Sequence, residues 1–136
     1  MTARRPLAAA TGGPRPEPSR SDSGRELALR VAQVAREKKG EDLVCLDLRE
    51  LGAVTDYFVL VTGLSETQVK AIADHVWETM ASEGVRPWHV EGMEHRRWVL
   101  IDFVDVVVHV FHPETRSYYL LERLWGDAAR VPLPED

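Results

Sequence analysis

Hydrophobic positions recur along this chain with two different periods, and the switch between them lays out the elements. Leu27, Val31, Val34 and Ala35 fall at helical spacing, with Ser23 placed to cap the start and Gly40 following Lys38 and Lys39 at the stop. Leu43 to Leu48 is a short β-compatible run. Asp56 opens a second run, Tyr57 to Thr62, whose nearly continuous apolar character marks a central strand buried on both faces. Val69, Ile72, Ala73, Val76 and Met80 then return to the helical period. Ser65 is a plausible N-cap there, with Gln68 completing a capping box, and Gly84 ends the segment.

The last third is predicted as strands in quick succession at Trp88 to Glu91, Trp98 to Phe103 and Val106 to Phe111. Only a tight turn near Asp105 separates the latter two, so they should pair antiparallel. A short helix around Ser117 to Trp125 groups Leu120, Leu121 and Leu124, and Pro132 and Pro134 end the ordered chain. The order αββαβββα predicts an α/β (α+β) domain, a mixed β-sheet of about five strands flanked by helices. No internal repeat is visible.

Period-two alternation divides the strand at Trp98. Val99, Ile101 and Phe103 share one face, as expected of core under a helix, while Trp98, Leu100 and Asp102 share the other. An aromatic, an aliphatic and a carboxylate together fit a protein-recognition hot spot if no helix covers them. The plainer alternative, equally open on residue types, is that a helix covers Trp98 and that Asp102 caps a turn. His109 lies on the face of Val107 and Phe111, where a hydrogen-bonded strand histidine is the ordinary expectation.

Composition bounds the rest. At 136 residues and 44% hydrophobic the chain suits one core. Its single cysteine, Cys45, excludes an internal disulfide framework and fits a reducing compartment. No stretch reaches the roughly 18 apolar residues of a bilayer span, and no secretion signal is apparent, so a soluble, cytoplasmic protein is expected. Residues 1–24 hold four arginines against two acids, while residues 25–136 hold 13 bases against 20 acids, a balance of about −7. An acidic domain repels phosphate, so direct specific nucleic-acid binding is not expected and a basic protein partner is. Prolines and glycines in residues 1–24 predict a disordered extension, leaving a domain over 25–128 and a tail over 129–136.

Chemistry-bearing patterns are weak. His75, His89, His95, His109 and His112 show no metal-ligand spacing, and no glycine loop of a phosphate-binding type exists, so neither a metal nor a cofactor is implied. The acids Asp47, Asp56, Asp102 and Asp105 invite comparison with magnesium-dependent nucleotidyltransferases. Those use two aspartates one residue apart on a strand, whereas Asp102 and Asp105 stand two apart across a turn. An enzyme is not expected.

Ordered motifs nevertheless run through the domain. They are Thr55-Asp56-Tyr57-Phe58-Val59-Leu60-Val61-Thr62-Gly63, Gln68-Val69-Lys70-Ala71-Ile72-Ala73-Asp74, Val90-Glu91-Gly92, Trp98 to Phe103, Asp105 to Phe111, and Tyr119-Leu120-Leu121-Glu122-Arg123-Leu124-Trp125. In these the chain resembles the ribosomal silencing factor (RsfS, or Iojap) family over residues 25 to about 128. The resemblance implies a nucleotidyltransferase-like fold without its active site. It also implies a non-catalytic translation repressor that binds ribosomal protein L-fourteen of the large subunit and blocks joining of the small one, and that commonly forms a homodimer when free. A role in assembling the large subunit is the first alternative, and a magnesium-dependent nucleotidyltransferase a more distant one.

Carried onto this chain, the family's partner contacts fall on Trp98, Leu100, Asp102 and Asp105. Three departures stand out. Val104 occupies a position usually held by glycine, which implies a bulged or less tight turn. Glu66-Thr67 replaces a polar residue and an arginine before Gln68, and Gly52-Ala53-Val54 replaces a serine-containing stretch before Thr55.

Overall fold

The computed structural model describes residues 14–119, 126 and 128–134. Helix α1 (Ser23–Glu37) begins at Ser23, with Asp22 rather than Ser23 at the N-cap and no side-chain cap, so the helix starts earlier than its apolar stripe suggests. Helix α2 (Glu66–Ser82) is capped as predicted: the Ser65 side chain accepts from the Gln68 backbone N–H, and the Gln68 side chain accepts from the Leu64 N–H at 2.8 Å. The Gln68 amide also donates to the Lys38 and Lys39 carbonyls, fastening the start of α2 to the end of α1.

Six strands form one mixed sheet: β1 (Glu41–Asp47), β2 (Tyr57–Thr62), β3 (His89–Glu91), β4 (Trp98–Asp102), β5 (Val106–Phe111) and β6 (Ala129–Arg130), in the order β3-β4-β5-β2-β1-β6. Only β2 and β5 run parallel; the other neighbours are antiparallel. The prediction of about five strands is therefore one short. Two-residue β6 carries no alternation to detect, and it lies where a tail was expected. Its pairing with β1 places Val131 in the core, where the Val131 N–H donates to the Cys45 carbonyl at 2.8 Å. A 3-10 turn at Arg49–Leu51 was also not predicted. The last described helix, α3 (Pro113–Tyr119), starts on a proline, whose fixed φ suits the first helical position. The rest of the helix expected over Ser117 to Trp125, with Leu120, Leu121 and Leu124, lies outside the described residues. Among the described residues no helix is long and apolar enough to cross a membrane.

Alternation along the strands builds two apolar layers. Val59, Val61, Val99, Ile101, Phe103, Val106, Val108 and Val110 point under α1 and α2, meeting Val31, Val34, Val69, Ile72 and Val76. Each such side chain, fully withdrawn from water, contributes roughly 1.5–3 kcal/mol. Leu46, Leu48, Phe58, Leu60, Val107 and Phe111 form the second layer, on the opposite face, with Trp98 and Leu100 at its margin. Cys45 packs in the first layer, and burial pushes its thiol up to about 12, so it stays protonated and unreactive near neutrality.

Candidate partner-binding face and turn

Cross-strand register assembles an aromatic cluster on the second face. Trp98 stands opposite Phe111, and Leu100 opposite His109. The Trp98 indole Nε1–H donates to His109 Nδ1 at 3.0 Å, the indole lies 5.3 Å from the Phe111 ring, and Phe58 meets the imidazole edge-on at 4.5 Å. An Nδ1 that accepts leaves the proton on Nε2, which is buried without a protein partner. Burial lowers the His109 pKa to about 3, so the imidazole is neutral and remains an acceptor for the indole. The strand histidine is thus a fixed support for Trp98. Trp98 and Leu100 are themselves half-buried, each with one side in the second layer.

The carboxylates do not share that situation. Asp102 is only 6% exposed. One of its oxygens accepts the Val104 N–H at 2.8 Å, which is the turn-capping role weighed as the plainer alternative. The same carboxylate accepts two bonds from Arg15, Nε to Oδ2 at 2.8 Å and Nη2 to Oδ1 at 2.9 Å, a forked geometry that only a guanidinium provides. Asp105 accepts from the Ser19 N–H at 2.7 Å and the Ser19 hydroxyl at 2.8 Å. Asp56, fully buried, accepts from the Arg20 N–H and the Arg20 Nη1, both at 2.9 Å. Residues 15–20 thus form a strap that answers three acids at once. In the described stretch 14–22 the chain has no helix or strand, Pro18 is buried, and these bonds hold the segment against the turn.

Backbone geometry explains why the acids converge. Parallel pairing of Tyr57 with Val106 sets Asp56 beside Asp105, whose carbonyl accepts the N–H groups of both Asp56 and Tyr57. Val104 adopts φ 75°, and the Asp105 N–H donates to the Phe103 carbonyl at 2.9 Å, giving a tight three-residue turn. The turn is therefore neither bulged nor relaxed by the loss of glycine; instead Val104 accepts a left-handed conformation that costs an L-residue roughly 1–2 kcal/mol. Its carbonyl is held by the Thr55 hydroxyl at 2.8 Å and by Arg15 Nη2 at 2.6 Å. Gly24 completes the arrangement, since a Cβ there would lie 3.3 Å from both the Asp105 side chain and the Tyr57 ring.

The structure therefore brings Trp98 and Leu100 together on one face and Asp102 and Asp105 together at the turn. Arg15, Ser19 and Arg20 were missed by sequence reasoning, as was Val54, 71% exposed beside the strap. For the strap residues the only advance signal was the positive charge of the first 24 residues.

A model of one protein family, described as ribosomal silencing factor during starvation, matches residues 21–136. The chain belongs to the ribosomal silencing factor family. It is 46% identical over 106 residues to the ribosomal silencing factor RsfS of Bacillus subtilis strain 168, covering 77% of this chain and 90% of that one. A crystal structure from Bacillus halodurans superposes with a TM-score of 0.68 at 39% identity, covering 83% of this chain and all of the other. A mouse protein named mitochondrial assembly of ribosomal large subunit protein 1 is 28% identical over 118 residues, covering 78% of this chain and 52% of the mouse protein. Bacterial relatives carrying the family name are regulatory rather than enzymatic by that name, and translation regulation linked to the ribosome is the function the family assigns. The strap residues 15–20 lie ahead of the family match.

Proposed function

We propose that this protein is a cytoplasmic, non-catalytic repressor of translation that binds ribosomal protein L-fourteen on the large subunit and thereby keeps the small subunit from joining. Family membership carries the reading, and the Trp98 face gives it a physical form. A half-buried indole backed by His109 and Phe111 is already oriented, so docking costs it little rotamer entropy. Leu100 extends the apolar contact, and Asp102 with Asp105, held in the structure by Arg15 and Ser19, would offer charge to a basic neighbour only once those contacts are released. No bond is made or broken: a folded body on the joining surface acts by exclusion.

The test is light scattering of subunit joining. Added protein should reduce the joined fraction in proportion to its concentration, and Trp98→Ala should weaken large-subunit binding by about thirtyfold or more, the loss typical of an aromatic anchor. Undiminished joining at saturating protein would end the reading. The name of the mouse relative favours a second one, a role in assembling the large subunit. Pelleting with precursor particles but not with mature subunits would select it. A homodimer when free belongs to the same proposal and is tested by the mass in multi-angle scattering.

A further inference from the structure

We propose that residues 15–20 are a built-in competitor: the surface around Asp56, Asp102 and Asp105 accepts an arginine-bearing segment of a basic protein partner, and the chain's own strap occupies it until displaced. This inference rests on the ribosome-binding reading above and adds a step to it.

Three observations support it. Every carboxylate at the turn is taken by the strap, and by different residues: Arg15 on Asp102, Ser19 on Asp105 and Arg20 on Asp56. A buried carboxylate needs a cation or several donors, so Asp102 cannot serve an incoming Lys or Arg while Arg15 holds both its oxygens. Further, the strap is built like a ligand. Pro16 and Pro18 restrict its backbone at little entropic cost, Arg20 turns with φ 59°, and the segment contributes no backbone pairing to the sheet. An open groove of about 250 Å³ lies between Arg15, Pro18 and Arg20 on one side and Gly52, Ala53 and Val54 on the other. Finally, the strap's contacts are mostly polar, and Arg20 and Ser19 are exposed, so a partner can replace them bond for bond. The surface asks of that partner two guanidinium groups a few residues apart on one segment.

Binding of the full-length chain to purified large subunits is compared with that of Arg15→Ala/Arg20→Ala. If the strap is closed about nine-tenths of the time, opening it raises apparent affinity about tenfold. A synthetic peptide of residues 14–21 added to the double variant should restore the weaker binding. Circular dichroism checks the fold. Ser19→Asp, which sets a like charge against Asp105 while leaving both arginines, is the second route, and several-fold tighter binding is expected of it. Equal or weaker binding by a folded strap variant, with the wild type binding normally, overturns this inference alone. Failure of every form, wild type included, to bind large subunits overturns the ribosomal reading and this inference with it.

Discussion

The two faces of the sheet are built differently. Under α1 and α2 the strands present an almost wholly aliphatic layer in which Val59, Val61, Val99, Ile101, Val108 and Val110 are all fully buried. Across the same strands, one residue out of phase, the layer mixes Leu46, Leu48 and Leu60 with the rings of Phe58 and Phe111 and holds a polar group, His109, with Trp98 and Leu100 only half covered. Aliphatic packing of the first kind specifies the fold and nothing more. The second kind keeps an imidazole in apolar surroundings, at a cost in stability, to fix one indole. A face that carries such a cost is the better candidate for recognition.

Substitutions on β4 would test this contrast most severely. Ile101→Ala should lower unfolding free energy by about 3–4 kcal/mol in urea titrations, whereas Leu100→Ala should cost about 1 kcal/mol and show its effect on subunit binding instead. Equal destabilisation by both would erase the distinction. A smaller effect is expected from acid. Folded His109 stays neutral down to about pH 3, while in the unfolded chain it takes a proton near 6.5. Between those values the unfolded chain binds more protons, so stability declines as pH falls through that window. Going from pH 7 to 5 should remove about 2 kcal/mol through this group. His109→Gln, which can still accept from the indole, should flatten that dependence, and an unchanged slope would locate the acid sensitivity elsewhere. The smallest effect concerns the turn: Val104→Gly should stabilise by up to about 1 kcal/mol, the relief of left-handed strain less the extra chain entropy of glycine. A loss of stability would mean that the strain at Val104 is offset by contacts of its side chain.

Much of this was legible beforehand because periodicity reports burial. Tyr57 to Thr62 as the central strand, Ser65 and Gln68 at the start of α2, and the division of Val99, Ile101 and Phe103 from Trp98 and Leu100 all follow from spacing alone. Ala129–Arg130 was not legible, since two residues cannot alternate. Nor was the strap, because a proline-rich segment reads as unable to build a core, and that remains true of residues 15–20: they bury little and are held by charge. Pairing of Arg15 with Asp102 spans 87 positions, and no local pattern encodes it. Asp102 was placed correctly on its strand, but alternation could not reveal that the residue ends the strand and turns its oxygens toward the Val104 N–H.

The outermost strands of the sheet have a consequence for behaviour at high concentration. One margin is the three-residue β3, bearing an exposed Glu91 linked to His89, and the other is the two-residue β6, with Arg130 exposed. Neither is long enough, or bare enough of charge, to template strand addition by a second molecule. Strand addition at these two margins is thereby discouraged.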